Sequence, residues 1–432
     1  MRNNFIFNSK HSLTILLTLF FFVLPFGRLL WLPLLVMSIT GIYIIFKQIM
    51  LTKGSPYTIY EKVLFFSFLG LWLPASLSLI SSYDIPRTVE YIFTFPLFFG
   101  VGWFLFSSVD QGKLSKKLPF FLLAILLLWS FAVLWQLIDP NSPFGPPHGG
   151  RYHGFFNPAF GGDLKMAPTV MSMGLFAIAL FWESGYKKTA TFTAALVLIM
   201  VYVSGTRMVW LSSLYVLTFL MLILYVWRVK VSLKFIKNGF LFFGGILLVM
   251  YFVTANTSLN SRIEQSTPKS LDNFFSYNNI NNILSNRLPI WEDAIEMGVD
   301  NPFLGTGANA WRWARPAYVE SSVYERDVRL VDGRPRSRMT FAHQYVLDVF
   351  AGTGFTGILG LLIMYAGVVY ITINAVLYRS FPAVLICLAF WAYFFPLNTH
   401  HSAYSSWLSA WFWVWLGLAI GFVSKIRKVN RI

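Results

Sequence analysis

The chain has 432 residues, of which 56% are hydrophobic and only 12% charged, and its 34 Lys and Arg against 18 Asp and Glu give a formal net charge of +16. Soluble domains carry about 25% charged residues, so the composition excludes a soluble globular protein and calls for an integral membrane one. A single cysteine, Cys387 in an apolar run, excludes an intramolecular disulfide.

The apolar runs lack the alternation of barrel strands and are long enough for helices of about 20 residues. The first run, Leu13–Phe26, follows Lys10 without a small-residue cleavage pattern and is expected to be a retained helix. Division at charges, prolines and glycines predicts twelve spans, near 12–26, 28–47, 62–80, 88–107, 118–138, 168–183, 189–206, 208–227, 238–254, 354–378, 381–397 and 404–424. The expected organisation is membrane helices over 1–254 with an outer loop at 139–167, a large outer segment over 255–353, and the last three membrane helices over 354–432. Arg207 is the only charged residue between Lys188 and Arg228. A charge at the bilayer centre costs at least ~2.5–3.5 kcal/mol. Ser204-Gly205-Thr206 places it instead at the turn between the seventh and eighth spans, near one membrane face.

Basic residues in short loops mark the cytoplasm. With the N-terminus inside, 19 of the 34 basic residues face inward and 14 of these are lysine; 13 of the other 15 are arginine. The short loops thus place both termini in the cytoplasm. Lysine suffices to set topology, whereas arginine offers a planar fork that binds phosphate bidentately. The outward arginines suggest an anionic partner on the outer side, and a solvated basic face beside lipid headgroups explains most of them as well. Arg207 and Arg287, flanked by apolar residues, are the two read as functional.

The outer loop "DPNSPFGPPHGGRYHGFFNPAFGGDLKMA" (139–167) is rich in Pro and Gly around His148, Arg151 and His153. In "NRLPIWEDAIEMGVDNP", Leu288, Trp291 and Ile295 share one helical face and Glu292, Asp293 and Glu296 another. This predicts an interfacial amphipathic helix with Arg287 in its first turn, stopped by Asp300-Asn301-Pro302. The run "RDVRLVDGRPRSR" (326–338) reads as a basic loop with five arginines. In "TFAHQYVLDVFAGTGFTGILGLL" (340–362), Thr340 is expected to cap a helix with His343 in its opening turn, and four glycines then allow close packing. A helix N-terminus disfavours the imidazolium, so His343 is expected neutral and competent as a general base; a histidine that merely bonds a loop carbonyl fits the spacing equally. No ligand spacing joins His148, His153, His400 and His401, which argues against a metal. His400 and His401 are expected to line a cavity rim. The chain has no Asp-x-Asp, Walker or Rossmann glycine motif, so no cofactor is expected, and no nucleic-acid partner.

"SGTRMVW", then "NRLPIWEDAIEMGVDNPFLGTGANAW", then "FAHQYVLDVFAGTGFTGILGLL", with a weaker echo in "RYHGFFNPAFGG", resemble the O-antigen ligase and polymerase superfamily of bacterial membrane glycosyltransferases. The resemblance implies an all-α polytopic membrane protein of about 12 transmembrane helices with a large periplasmic loop containing amphipathic helices, a GT-C-like architecture in the bacterial inner membrane. It also implies transfer of a glycan from undecaprenyl pyrophosphate to lipid A–core oligosaccharide on the periplasmic face, without metal or nucleotide. Arg207 and Arg287 match the family's essential arginines, His343 its essential histidine, and Arg151 matches less closely. Fixed guanidinium groups would neutralise the leaving pyrophosphate. His343 would take the acceptor proton or orient the pyrophosphate. Arg338, Trp291 and His400 complete the expected substrate-binding set, with membrane lipids as further partners. The alternatives are a polymerase of the same superfamily and, in another class, a flippase or transporter. Transport would call for midplane charges and paired half-repeats, which the spans do not show.

Overall fold

The computed structural model describes residues 10–51, 57–139, 141–148, 151–158, 166–229, 275–320, 324–396 and 402–429, with isolated helical positions between 237 and 252. Among the described residues eight helices are long and apolar enough to cross a membrane. The chain is an all-α polytopic membrane protein, as its composition requires. The first of the eight, Lys10–Met50, contains a 3-10 turn at Leu24–Leu30 with Gly27 at φ 55°, and so covers two of the expected spans. Helices Lys187–Val203 and Phe381–Phe394 also fall on expected spans but have only 17 and 14 residues. The ninth expected span, 238–254, lies largely outside the described residues.

The chain divides into two compact units, each assembled from separate stretches of sequence. One contains residues 1–34, 111–272 and 374–393. Its helices Leu118–Ile138, Met166–Glu183 and Lys187–Val203 pack together, with Phe21 of the first helix against Phe176 at 6.3 Å between rings. Ser172 Oγ donates to the Ala389 carbonyl at 3.1 Å, and Tyr215 Oη to the Trp391 carbonyl at 2.7 Å. These bonds tie the helix Phe381–Phe394 to the rest. Helix Arg207–Val226 buries Val209, Ser212, Val216 and Ile223 and leaves Leu214, Met221 and Tyr225 outward, the exposed apolar face a lipid-contacting helix needs.

The other unit contains residues 35–110, 273–373 and 394–432. Helix Ile59–Leu77 starts at a capping box: Thr58 Oγ1 accepts from the Glu61 N–H, and the Glu61 carboxylate accepts from the Thr58 N–H. Helices Ile85–Asp110 and Ser406–Val429 are the most enclosed spans of this unit. Gly102 and Gly417 let their backbones meet, and Trp413 fills the adjoining space among Phe68, Phe95 and Phe99. At their far end Asp110 accepts from Ser424 Oγ at 2.7 Å and pairs with Lys428.

The helix Tyr345–Leu377 is broken at Gly354, where φ is 62° and ψ −155°. Around the break its carbonyls and N–H groups lose their helical partners and are met by the segment Pro302–Gly307. The N–H groups of Thr306 and Gly307 donate to the carbonyls of Ala351 and Gly352 at 2.8 and 3.0 Å. The N–H of Phe355 donates to the Pro302 carbonyl at 2.7 Å. The same segment is gripped from the turn between Ile59–Leu77 and Ile85–Asp110. Ser81 Oγ donates to the Gly305 carbonyl at 2.7 Å, Thr88 Oγ1 to the Ala308 carbonyl at 2.8 Å, and the Ala308 N–H to Ser78 Oγ at 3.0 Å. The span expected from 354 is therefore the second part of a helix that begins at 345.

Beyond the break this helix crosses Ile59–Leu77 at paired glycines, where a Cβ on Gly360 would overlap the Gly70 carbonyl. Gly360→Leu is therefore expected to lower the thermal unfolding midpoint in detergent, by the ~1–3 kcal/mol typical of overpacking or more. An unchanged midpoint would show that the crossing has room to spare.

Candidate functional site

Arg207 is the first residue of helix Arg207–Val226, after the turn Ser204–Thr206. Gly205 takes φ 63°, Ser204 is fully buried with its Oγ donating to the Val201 carbonyl at 2.7 Å, and Trp210 Nε1 donates to the same carbonyl at 3.0 Å. The turn is thus fixed from both sides, and Arg207 projects from it half-buried. Arg151 lies in the same unit. Its backbone pairs with His148 in both directions, at 3.1 and 3.2 Å. The adjoining stretch is stapled by Gln136, fully buried at the end of helix Leu118–Ile138. Its Oε1 accepts from the N–H groups of His153 and Gly154 at 2.8 and 3.0 Å, while its Nε2 donates to the Gly145 carbonyl at 2.9 Å. The Pro/Gly loop gave no sign of this anchor. A polar Gln at the end of an otherwise apolar run was the signal available.

Arg287, Trp291, Arg338 and His343 belong to the other unit. Arg287 is the N-cap residue of helix Leu288–Asp300, one position before the first turn in which it was expected. Ser285 and Asn286 before it both take left-handed backbone, at φ 61° and 59°, and Asn281 Oδ1 accepts from the Leu288 N–H at 3.1 Å. The helix is amphipathic, but its buried face differs from the expected one. Ile290, Ala294 and Met297 cluster with Trp311, Ala314, Ala342 and Ala351, and Asp293 is buried as well, whereas Ile295 is exposed and Leu288 and Trp291 are partly so. The correction has a physical cause: Asp293 faces inward because a buried arginine waits there.

That arginine is Arg315, 1% exposed. Its Nε donates to Asp293 at 2.7 Å, one terminal nitrogen to Asp327 at 3.1 Å, and the other to Ser337 Oγ at 3.1 Å. Ion pair and hydrogen bonds together compensate the burial of the guanidinium, as a buried charge requires. Burial raises the Asp293 carboxyl above the usual range despite Arg315. Burial pushes Asp327 the same way, but hydrogen bonds from two arginines, Arg326 and Arg315, hold it below that range.

The segment 326–338, expected as a basic loop, is a β-hairpin. Strands Val328–Val331 and Arg334–Ser337 pair antiparallel around Asp332-Gly333, both at positive φ. Asp-Gly after the β-prone run Val328–Val331 is a hairpin signal, which Pro335 and the five arginines obscured. Arg338 follows the hairpin with an exposed side chain, its N–H donating to the Asp327 carbonyl at 2.8 Å.

His343 precedes its helix rather than sitting in the first turn. The helix begins at Tyr345, not at Thr340, because Gln344 Oε1 caps the Leu347 N–H. His343 takes φ 55°, a left-handed backbone uncommon for any residue with a Cβ, and its ring lies 4.2 Å from that of Phe341. Asp348 sets this geometry. It is 2% exposed; Oδ1 accepts from the Ala342 N–H at 3.3 Å, and Oδ2 accepts from Ser402 Oγ and the Ala403 N–H at 2.8 Å each. One carboxylate therefore pins the residue before His343 to a turn sixty residues away. Sequence reading missed it, although an aspartate five residues after a candidate base, inside an apolar run, marks such a role. His400, and with it the expected cavity rim, lies outside the described residues. Among the described residues no three His, Cys, Asp or Glu side chains gather as a metal-binding group.

Arg315→Met strands two buried carboxylates and is expected to cost ~3–5 kcal/mol, read as a lower unfolding midpoint. The pH dependence separates the two acids. The depressed Asp327 carboxyl contributes stability present above the usual carboxylate value and lost as pH falls through its lower folded one. The raised Asp293 carboxyl contributes stability present at low pH and lost as pH rises through its folded value. Asp327→Asn should therefore flatten the loss of midpoint below about pH 4, while Asp293→Asn keeps it. Equal acid limbs in both variants would contradict this assignment.

Residues 192–362 match the family model of O-antigen ligase. No curated protein matches the chain. The matched stretch contains Arg207, Arg287, Trp291, Arg338 and His343, while Arg151 and His400 fall outside it. The chain is thus an all-α polytopic membrane protein whose residues 192–362 match the O-antigen ligase family model.

Proposed function

We propose that the protein is an O-antigen ligase: it transfers a glycan from undecaprenyl pyrophosphate to lipid A–core oligosaccharide at the periplasmic face of the bacterial inner membrane. The observation that carries this reading is the setting of His343. It lies within the family match, in a strained left-handed conformation before a helix N-terminus, with a buried carboxylate holding the residue beside it. Non-glycine residues in such backbone cost about 1–3 kcal/mol and cluster at functional sites. Both arginines of the proposed clamp also begin helices, one after a fixed turn and one at an N-cap.

In this mechanism Arg207 and Arg287 hold the pyrophosphate of the donor through forked hydrogen bonds and neutralise the charge that grows on it as the glycosidic bond breaks. His343 accepts the proton of the acceptor hydroxyl as that oxygen attacks the anomeric carbon. In-line attack inverts the configuration. The proton rests on the imidazole, and undecaprenyl pyrophosphate leaves. Arg151, Arg338, Trp291 and His400 are assigned to substrate contact, and both chain termini to the cytoplasm. A polymerase would use the same donor and the same groups with a lipid-linked glycan as acceptor. A gene deletion distinguishes them: loss of the whole lipopolysaccharide ladder with lipid-linked polymer accumulating means ligase, and a single repeat unit on the core means polymerase. An unchanged ladder would support the transporter instead.

Arg207→Ala and Arg287→Ala are expected to abolish transfer with membrane insertion intact, and Arg207→Lys to rescue poorly because an ammonium lacks the fork. His343→Gln should lose ~10²–10⁴-fold in rate while donor binding is kept. Near-normal turnover with weakened donor binding would make His343 a positioning residue.

Chelation gives an independent check. If guanidinium groups supply the positive charge at the pyrophosphate, transfer by purified protein is unchanged by EDTA. Activity restored only by Mg²⁺ or Mn²⁺ would overturn the arginine clamp.

A further inference from the structure

The hairpin places like charges where a fold gains nothing from them. Arg329 and Arg336 are directly paired across the two strands, and Val331 pairs with Arg334. Because side chains alternate along a strand, Arg329, Arg334 and Arg336 share one face. Directly opposed like charges destabilise a strand pair. Arg334 and Arg336 both lie over Trp313, with guanidinium carbons 4.8 and 5.4 Å from the ring centre. Arg312, the residue before that tryptophan, is held below the usual arginine value by burial and then by Arg336, Arg329 and Arg87.

Among the described residues, Arg312, Arg329 and Arg336 form no ion pair, and the buried Nε of Arg336 has no hydrogen-bond partner. Of the neighbouring arginines, Arg87 pairs with Glu90 at 2.8 Å, and Arg334 reaches the Tyr83 carbonyl at 3.3 Å. Arg315, a few residues along, shows how this chain treats a structural arginine: two carboxylates and a hydroxyl surround it. Among the described residues Arg329, Arg334 and Arg336 pair with no carboxylate. Instead an aromatic ring supports two of their planes, and stacking leaves the N–H edges of a guanidinium free to bond.

We propose that Arg312, Arg329, Arg334 and Arg336, assembled on Trp313, form an anion site for a phosphate monoester. A dianion would turn their mutual repulsion into bidentate, charge-assisted hydrogen bonds, and several forked donors suit a tetrahedral phosphate better than a single carboxylate. The phosphate comes from a phosphorylated saccharide or from a lipid headgroup. The site shares no residue with the Arg207, Arg287 and His343 set and does not depend on the transfer reaction proposed above.

The test uses the full chain in phosphatidylcholine nanodiscs and reads binding and thermal midpoint, not transfer. Glucose 6-phosphate is titrated against glucose with sodium chloride at equal ionic strength. In a second arm, phosphatidic acid replaces part of the phosphatidylcholine. The wild type is expected to show a saturable rise in midpoint in at least one arm, and the responding arm names the source of the phosphate. Arg329→Gln with Arg336→Gln should weaken that response about tenfold or more while unfolding, without ligand, no lower than the wild type, since a repulsion has been removed. No response in either arm, or the same response in the double variant, overturns the proposal. If the glutamine variant does not fold, Arg329→Lys with Arg336→Lys keeps the charge and removes the fork. It should weaken the response in whichever arm the wild type shows one, and an unchanged response again overturns the site. Because no transfer is measured, failure here leaves the ligase reading standing, and failure of that reading leaves this site standing.

Discussion

A transmembrane helix satisfies its own backbone, so a helix that breaks must find donors and acceptors elsewhere or forfeit several kcal/mol per orphaned group. At Gly354 the segment Pro302–Gly307 supplies them, and the turn between two neighbouring helices holds that segment in turn. Much of one compact unit hangs on this exchange. It fixes where helix Leu288–Asp300 ends and where the short helix at Trp311 begins. It also tethers the stretch between them to the helix before which His343 stands.

From that anchor outward, the unit is organised by how it handles charge. Arg315 is buried among two carboxylates and a hydroxyl, which joins the helix Leu288–Asp300, the short helix and the hairpin through one side chain. Asp348 is buried among backbone N–H groups and a serine, which joins the residues before His343 to the turn at 402–403. Each of the two groups is oriented by three hydrogen bonds and ties separate stretches of the chain together. Arg329, Arg334 and Arg336 are the opposite case: among the described residues they pair with no carboxylate, and Arg334 and Arg336 lie over an aromatic ring.

The candidate catalytic residues come from both compact units, Arg207 from one and Arg287 with His343 from the other. Each is placed by a local device that a sequence encodes in a few residues. For Arg207 this is a Ser-Gly-Thr turn closed by Trp210. For Arg287 it is two left-handed residues before a helix, and for His343 a strained residue beside a latched one. Rigid local placement of this kind, within each unit, suits chemistry that relies on preorganised charge.

The sequence by itself determined the class of the protein and most of its membrane helices, because long apolar runs are dictated by the thickness of the bilayer rather than by any partner. It located Arg207 at a turn, since Ser-Gly-Thr breaks a helix locally, and it found the amphipathic helix after Arg287 from period alone. Only the tertiary structure decided which face of that helix is buried. Periodicity grouped Asp293 with Glu292 and Glu296, and Arg315, 22 residues on, draws it inward away from them. The same holds for the start of the helix at Tyr345, where Thr340 offered a local cap but Gln344 supplies it and Asp348 bonds backward and across to residue 403. The hairpin stood between: its Asp-Gly turn was legible, and its run of arginines masked it. Local rules fail where a single long-range ion pair or hydrogen bond outweighs the propensity of a few residues, and in this chain those places flank the candidate site.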